Sequence, residues 1–198
     1  MSIKNKILNG FEKFLNNNQE NITEDELEIA LYGMEVIYSL VTKTILYFII
    51  SLMLNCHKEF LIVILIMTTI RSTSFGYHAD KEISCYISSF LVIFGTIYIA
   101  KNFNFNFLIK VITCLTSLIA TILYAPADTE KRPLINKHTR SILKLCSSVT
   151  VVFFSFIALI NNGFMSKVIV YILIVNSINI SPILYKIFKR RYKNYEYY

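Results

Sequence analysis

Two side chains in one polar stretch of the sequence could carry out thiol chemistry. His78 and Cys85 lie seven residues apart between two long apolar runs. The thiolate is the reactive form of cysteine, and a neighbouring imidazolium can lower the pKa of a thiol from about 8.5 far enough to populate the thiolate at neutral pH. The stretch is therefore a candidate thiol active site, with Cys85 as the nucleophile and His78 as its partner.

The spacing of this pair requires a break in the backbone. On one continuous helix, residues seven apart share a face but stand about 10 Å apart along the axis, whereas direct contact requires about 3 Å. Gly76 permits backbone angles that are closed to other residues, and Asp80 can cap a helix that starts near Lys81. We therefore expect His78 on a loop that folds back over a helix carrying Cys85 in its second turn.

The other cysteines fit this chemistry less well. His138 and Cys146 form a second pair eight residues apart, but this pair has no neighbouring glycine and no aspartate that could cap the following apolar helix. Cys56, Cys114 and Cys146 are interpreted as small buried apolar residues without a disulfide framework. The sequence has no CxxC or HExxH pattern, so we expect neither a metal nor another cofactor.

The composition indicates a membrane environment for the elements that must position the pair. Apolar residues make up 55% of the chain and charged residues 17%, and the mean hydropathy is +0.52. These values exceed ordinary globular usage. We predict an all-α polytopic membrane protein with six transmembrane helices and an N-terminal amphipathic interfacial helix. The predicted spans are Leu27–Leu54, Phe60–Thr73, Ile83–Ala100, Phe105–Tyr124, Ile142–Ile160 and Phe164–Phe188.

The distribution of positive charge supports an even number of spans. With six spans and a cytoplasmic N-terminus, fifteen of the twenty Lys and Arg residues fall on the cytoplasmic side. The outward side carries only Lys58, Lys101, Lys110 and Lys167, an asymmetry that favours this orientation. Without the short second span, the basic segments downstream would lie outside. We thus expect a cell-membrane protein whose termini and active site are cytoplasmic.

The first 22 residues predict a separate surface element. Its apolar residues recur at helical spacing: Ile3, Ile7, Leu8, Phe11, Phe14 and Leu15. The pattern fits a helix at the cytoplasmic membrane surface and also a short soluble helix packed on the protein. Thr23 and Glu26 predict a capping box that opens the first long helix. We divide the chain into residues 1–22, the helix and its linker, and residues 23–198, the six-span domain; no signal peptide is expected.

Two ionisable residues in the first predicted span are functional candidates. Glu35 and Lys43 lie at membrane depth, where charged side chains usually face a bundle interior or a wet cavity. Their separation by eight residues disfavours a direct ion pair, so Arg71 is the predicted partner of Glu35. The alternative is that both side chains lie near the interfaces and extend towards water.

A basic segment follows the fourth predicted span. It carries Lys131, Arg132, Lys137 and Arg140, which would suit an acidic peptide tail or anionic lipid head groups. The alternative is a topology signal without a ligand. Nucleic acid is not an expected partner, because the positive charges segregate by membrane side instead of forming a folded soluble patch.

Three blocks of sequence occur together in one order along the chain. They are Tyr32-Gly-Met-Glu35, then Arg71 followed by Gly76-Tyr-His-Ala79 and Cys85, and then Tyr124-Ala-Pro-Ala-Asp-Thr-Glu-Lys-Arg-Pro133. In these blocks, and over the whole chain, the sequence resembles the accessory gene regulator protein B family. The seven-residue steps from Arg71 to His78 and on to Cys85 are the most specific part. One departure is Phe75-Gly76, where many members carry two small residues.

The resemblance implies a membrane cysteine endopeptidase. Members of the family trim the C-terminal part of a quorum-sensing propeptide and help to form a cyclic thiolactone, so the implied substrate is an autoinducer precursor. The resemblance makes Cys85 the nucleophile and His78 its partner, with Arg71 and Gly76 in support. Cys85 would hold the propeptide as a thioester until a cysteine of the peptide displaces it. Candidates for orienting the imidazole are Asp80, Glu82 and Asp128.

Two other classes of function stay open at this point. A small peptide exporter without proteolytic activity could use Glu35 and Lys43 together with polar residues of the last span, which are Asn176, Ser177, Asn179 and Pro182. A non-catalytic membrane scaffold could associate through its tyrosine-rich ends. Membrane lipids are expected partners in each case, and a homodimer is left open.

Overall fold

The chain folds into α-helices. A computed structural model describes residues 3–18, 23–77, 82–129 and 134–197, and over these residues the structure is helical apart from turns and one isolated β-bridge. The helices are α1 (Ile3–Asn18), α2 (Glu24–Met53), α3 (His57–Ser74), α4 (Glu82–Asn102), α5 (Phe107–Tyr124), α6 (Lys137–Ile160), α7 (Phe164–Ile180) and α8 (Pro182–Ile187), followed by a 3-10 helix at Asn194–Tyr197. The all-α prediction is therefore confirmed.

The first compact unit, Met1–Asn55, contains α1 and α2 packed against each other. The predicted capping box is present: Glu26 N–H donates to Thr23 Oγ1 at 3.3 Å, and Thr23 N–H donates to Glu26 Oε2 at 3.0 Å. Lys4 Nζ of α1 lies 2.5 Å from Glu35 Oε1 of α2. The compact unit thus extends through Asn55, whereas the functional division after residue 22 remains a prediction.

The second unit, Cys56–Tyr198, is built around α7. This helix packs against α3, α4, α5 and α6, and its residues Val168, Ile169, Val170 and Leu173 are completely buried. A helix that is apolar all round belongs inside a bundle because every face meets another helix. The outer helices instead expose large apolar side chains, such as Leu91 of α4, which suits a lipid environment.

Four helices have the length and composition of membrane spans. They cover Glu26–Met53, Glu82–Asn102, Phe107–Tyr124 and Lys137–Ile160. The helix α7 is equally apolar but has 17 residues, and α3 has 18 residues but begins with the charged Lys58 and Glu59. Each of the six predicted apolar segments thus contains a helix, while length and composition alone identify four of these helices as spans.

The last predicted segment is not continuous. The prediction extended one helix from Phe164 to Phe188, but α7 ends at Ile180 and Ser181 is extended, with φ −72° and ψ 150°. Pro182 explains the break, because proline has no N–H to donate and disfavours helical angles at the preceding residue. Pro182 then opens α8, where the first turn tolerates it.

A buried lysine joins α5 to the end of α6. Lys110 was assigned to the outward side by charge, but its side chain is only 3% exposed. Its Nζ donates to the carbonyl oxygens of Ala158 at 3.3 Å and Asn161 at 2.7 Å, and to Asn162 Oδ1 at 2.9 Å. The cation therefore binds the negative end of α6, where unpaired carbonyl groups collect.

Candidate functional site

The predicted break in the backbone follows α3. Phe75 and Gly76 both have positive φ, at 56° and 117°. A side chain at position 76 would also collide with α7, because an added Cβ would lie 2.8 Å from Asn179 Nδ2. Both the angle and the close approach thus require glycine, which confirms the break predicted at Gly76. We call residues Ser74–Tyr77 the site turn.

Hydrogen bonds fix the site turn on two sides. Gly76 N–H donates to the Ala127 carbonyl at 3.0 Å, and Ala127 N–H donates to the Ser74 carbonyl at 3.0 Å. Tyr77 N–H donates to the Asn179 carbonyl at 3.2 Å. The turn is thereby attached both to the segment after α5 and to the C-terminal end of α7.

Arg71 completes the attachment of the turn. Its Nη2 donates to the Tyr77 carbonyl at 3.3 Å, so both peptide groups of Tyr77 are held. The thiol of Cys85 lies within electrostatic reach of the same guanidinium. A fixed positive charge near a thiol favours the thiolate. Arg71 therefore links the turn that precedes His78 with the predicted nucleophile.

Cys85 occupies the start of α4, as predicted. It is the fourth residue of the described helix and is 9% exposed. The positive end of the helix favours an anion there, whereas burial disfavours one. His78, Asp80 and Lys81 lie outside the described residues, so the His78 contact and the Asp80 cap remain predictions.

The second cysteine–histidine pair differs from the first. Cys146 was expected to be buried like Cys56 and Cys114, but it is exposed on the surface of α6, whereas those two are buried. Periodicity explains the difference, because α6 buries Ser147 and Val151 and turns the Cys146 side chain outwards. None of the four cysteines forms a disulfide.

The other predicted site residues are spread along the chain. Glu35 pairs with Lys4, a partner that the sequence hypothesis did not include, and its predicted pairing with Arg71 remains a prediction. Lys131 and Arg132 lie outside the described residues. Lys137 is the exposed first residue of α6, and Arg140, one turn later, lies 3.6 Å from the centre of the Tyr195 ring.

Asp128, in the block that begins at Tyr124, binds the C-terminal segment. We call the bonds of Asp128 to this segment the clamp. The carboxylate of Asp128 is 3% exposed and accepts the N–H groups of Asn194 at 3.0 Å, Tyr195 at 2.9 Å and Leu134 at 3.4 Å. Its main-chain carbonyl accepts the Tyr185 hydroxyl at 2.9 Å. The sequence indicated Asp128 only as a candidate partner for His78, and it gave no sign of this clamp.

A cavity of about 240 Å³ lies beside the clamp. Residues 123–128, the first turns of α6 and the C-terminal segment line it, and its positive side chains are those of Arg140, Lys144 and Lys193. Burial, with Tyr195 and Tyr124 nearby, raises the pKa of Tyr192 in its wall to about 12. Of the four predicted basic residues, the structure thus gives Arg140 a position at a cavity.

The polar residues of α7 bind neighbouring helices. Ser74 Oγ donates to Asn176 Oδ1 at 3.0 Å, and Ser177 Oγ donates to Ser117 Oγ at 2.9 Å. Side chains used in this way hold helices together. They give no support to the hypothesis of a translocation path along α7.

Comparisons with known proteins identify the family of the chain. The family model for accessory gene regulator B matches residues 8–182. The chain is 33% identical over 168 residues to an AgrB-like protein of Listeria monocytogenes serovar 1/2a, covering 84% of this chain and 82% of that protein. It is 30% identical over 164 residues to an AgrB-like protein of Clostridium acetobutylicum, covering 82% and 78%.

A third relative is the accessory gene regulator protein B of Staphylococcus intermedius, 29% identical over 177 residues, which cover 88% of this chain and 94% of that protein. No solved structure gives a significant match. The family match includes α2 to α7 and both attachments of the site turn. The chain therefore belongs to the accessory gene regulator B family.

Proposed function

We propose that the protein is a membrane cysteine endopeptidase that cleaves a quorum-sensing propeptide and helps to convert it into a cyclic thiolactone. One observation carries the proposal: Arg71 donates to the Tyr77 carbonyl at 3.3 Å and so holds the turn that leads into His78, and the same guanidinium interacts electrostatically with the buried thiol of Cys85. A nucleophile, a cation and a fixed loop before the only histidine in this stretch are the parts that thiol proteolysis requires.

The first half of the reaction forms a thioester. The imidazole of His78 accepts the thiol proton of Cys85, and the sulfur attacks the carbonyl carbon of the scissile peptide bond. The resulting oxyanion collapses, the C–N bond breaks, and the imidazolium donates its proton to the leaving amine. The C-terminal fragment of the propeptide departs, and the remaining acyl group stays on Cys85.

The second half of the reaction transfers the acyl group within the peptide. A cysteine thiol of the bound peptide gives its proton to the imidazole of His78 and attacks the thioester. Its sulfur displaces that of Cys85 and closes a thiolactone ring, and the proton passes from the imidazolium to the released thiolate of Cys85. The bond energy of the acyl group is retained, because one thioester replaces another. Water must be kept away for this exchange to compete with hydrolysis, and a buried thiol supports such exclusion.

Arg71 resolves the conflict between burial and ionisation at Cys85. Burial favours the neutral thiol, whereas a nearby guanidinium favours the thiolate and any oxyanion formed from the substrate. The positive end of α4 acts in the same direction. Cys85 therefore retains nucleophilic character in a site that excludes water.

Six spans are the topology that best suits this chemistry. The apolar α7 and the shorter apolar part of α3 complete the four longer spans, and α1 lies on the cytoplasmic membrane surface. Both termini and the site are then cytoplasmic, in agreement with the positive charges. Lys131, Arg132, Lys137 and Arg140 would capture the acidic part of the propeptide, and the cavity beside Arg140 supports this assignment.

The test is to coexpress the full chain with a candidate propeptide encoded beside it and to analyse the cell lysate by mass spectrometry. We expect Cys85→Ala and His78→Ala to abolish cleavage. Cys146→Ala is the matched control, because it removes an exposed thiol on α6 and should leave cleavage unchanged. Cleavage by Cys85→Ala, or export of intact propeptide without cleavage, would refute the proposal.

A further inference from the structure

The site turn packs against the C-terminal segment, residues 182–197. Tyr77 of the turn meets two aromatic rings of that segment. Its ring stacks on Phe188, with 4.7 Å between the ring centroids, and meets the edge of the Tyr185 ring at 6.0 Å. Tyr185 is 2% exposed and belongs to the same small core as Ala127. The C-terminal segment is therefore a third support of the turn, in addition to its main-chain bonds.

Asp128 connects the C-terminal segment to the site turn. Its carboxylate accepts the N–H groups of Asn194 at 3.0 Å and Tyr195 at 2.9 Å, and its carbonyl accepts the Tyr185 hydroxyl at 2.9 Å. The preceding residue, Ala127, is bonded to the turn through both its N–H and its carbonyl, each at 3.0 Å. The clamp and the bonds to the turn thus belong to two consecutive residues.

The burial of Asp128 makes this connection firm. Asp128 is 3% exposed, and its partner Asn194 is 2% exposed. A buried carboxylate requires donors, because its transfer from water without hydrogen bonds is strongly unfavourable. The clamp supplies two main-chain donors, and Leu134 N–H supplies a third at 3.4 Å. Asp128 therefore has a fixed position, and its peptide bond to Ala127 passes this constraint on to the turn.

The site turn in turn holds the cation beside the thiol. Arg71 Nη2 donates to the Tyr77 carbonyl at 3.3 Å, and the same guanidinium interacts electrostatically with Cys85. The attraction between a cation and a thiolate weakens with their separation. The position of the turn therefore affects how strongly Arg71 favours the thiolate of Cys85.

We propose that Asp128 is a positioning residue of the site. Through the clamp it uses the C-terminal segment to fix the site turn, and through the turn it holds Arg71 beside Cys85. Asp128 itself takes no part in bond making or proton transfer. This inference rests on the proposed peptidase function and adds to its site a support that is more than 40 positions away in sequence from Cys85.

Hydrogen exchange tests whether the clamp holds the turn. The full chain is purified in detergent, and amide exchange is followed by mass spectrometry at a temperature well below the melting transition. Asp128→Asn keeps the size of the side chain but replaces one carboxylate oxygen by an amide nitrogen, which cannot accept an N–H. We expect about tenfold faster exchange in peptides that contain the site turn, and also in peptides of residues 192–197.

Two control variants separate this effect from a general loss of stability. Glu196→Gln is the same chemical change at an exposed acid of the same segment, which pairs with Lys193 at 3.2 Å and lies outside the clamp. Lys110→Met removes bonds at the other end of α5. Both variants should leave exchange in the site turn unchanged. Faster exchange at residues 192–197 alone in Asp128→Asn would overturn the positioning role.

Alkylation of Cys85 tests whether the turn acts on the thiol through Arg71. In a Cys146→Ala background, the rate of reaction of Cys85 with iodoacetamide is followed at pH 7 by peptide mass spectrometry. We expect Asp128→Asn to slow this reaction about threefold, because the guanidinium is held less firmly beside the thiol. General unfolding would instead expose the thiol and speed the reaction. When Arg71→Gln is already present, Asp128→Asn should cause no further slowing.

The outcomes distinguish this inference from the proposed function. An unchanged rate in Asp128→Asn, or equal slowing in the presence of Arg71→Gln, would overturn the positioning role. Neither measurement requires the propeptide. Failure of the unmodified chain to cleave the propeptide would refute the peptidase, whereas exchange and alkylation would still decide whether Asp128 fixes the turn and Arg71.

Discussion

Gly76 has little freedom to change its backbone conformation. Its φ of 117° lies in a region that residues with a side chain rarely adopt, and the space that a side chain would need is occupied by Asn179. The two neighbouring peptide groups are hydrogen-bonded to Ala127 and Asn179. The turn therefore cannot relax without losing bonds on both sides.

Replacement of Gly76 by alanine should therefore impair the site. We expect Gly76→Ala to reduce propeptide cleavage by at least tenfold, since strain of about 1–3 kcal/mol would be relieved by shifting the turn. Gly95→Ala is the control: this glycine lies within α4, no atom lies within 4 Å of its added Cβ, and helix propensity predicts a gain of about 0.5–1 kcal/mol. The measurements are propeptide cleavage in cell lysate and thermal unfolding of both variants. Normal cleavage by Gly76→Ala would contradict the prediction.

Individual residues were predictable from sequence where the signal was local. The cysteine near a helix start and the glycine at the break both follow from residue type and short spacing. Asn179 and the clamp at Asp128 act on segments far away in sequence: the Asp128 carboxylate contacts residues 66 and 67 positions later. No periodicity or spacing rule connects residues at such separations, so sequence indicated only their residue types.

At the scale of elements, Lys110 is a buried cation in a helix that otherwise fits a membrane. Its three acceptors are the carbonyl groups of Ala158 and Asn161 and the amide oxygen of Asn162, all at the end of α6. Hydropathy would class the residue as unfavourable in a span. The structure explains its presence, since the ammonium group donates to main-chain and side-chain oxygens at the negative end of α6.

Loss of that ammonium group should loosen α5 from α6. We expect Lys110→Met, which keeps the length of the side chain, to destabilise the fold by about 1.5–3 kcal/mol and to lower the apparent melting temperature by roughly 5–10 °C. Lys101→Met is the comparison, because Lys101 forms a partly exposed ion pair with Glu59 at 2.7 Å, and ion pairs in contact with water contribute about 1 kcal/mol or less. Thermal unfolding in detergent measures both, and equal melting temperatures would reject a special role for Lys110.

The helices themselves were predictable, because a long apolar segment in a membrane must satisfy its backbone hydrogen bonds internally and therefore folds as a helix. The capping box and the limits of α5 follow from side chains that act within a few residues of each other. The predicted end of the last helix was wrong. Apolar residues continue past Pro182, and hydropathy does not take into account that proline has no backbone N–H. Backbone chemistry, more than hydrophobicity, determines where that helix stops.

At the scale of the whole molecule, the proposed orientation rests on charge asymmetry. Fifteen of the twenty Lys and Arg residues belong to segments assigned to the cytoplasm. Length and hydropathy identify four helices as spans, so the count of six depends on α3 and α7. Because those two helices flank the site turn, an experiment on topology also tests the location of the site.

Reporter fusions can measure this topology. We expect alkaline phosphatase fused after residue 104, between α4 and α5, and after residue 162, between α6 and α7, to be active outside the membrane. Green fluorescent protein fused after residue 198 should fluoresce in the cytoplasm. An inactive phosphatase after residue 162 would show that the number of crossing helices before this position is not the proposed one. As controls, each position is also fused to the other of the two reporters.

The attachment of the site turn to Asn179 has a consequence for biosynthesis. Ribosomes add about 5–20 residues per second, and Asn179 follows Cys85 by 94 residues, so the support from α7 arrives on the order of ten seconds after the thiol has been made. During that interval the nascent chain carries its cysteine without the main-chain hydrogen bond from Tyr77 to Asn179 that holds the site turn. If the chain is the peptidase proposed above, prematurely terminated copies should consequently be inert.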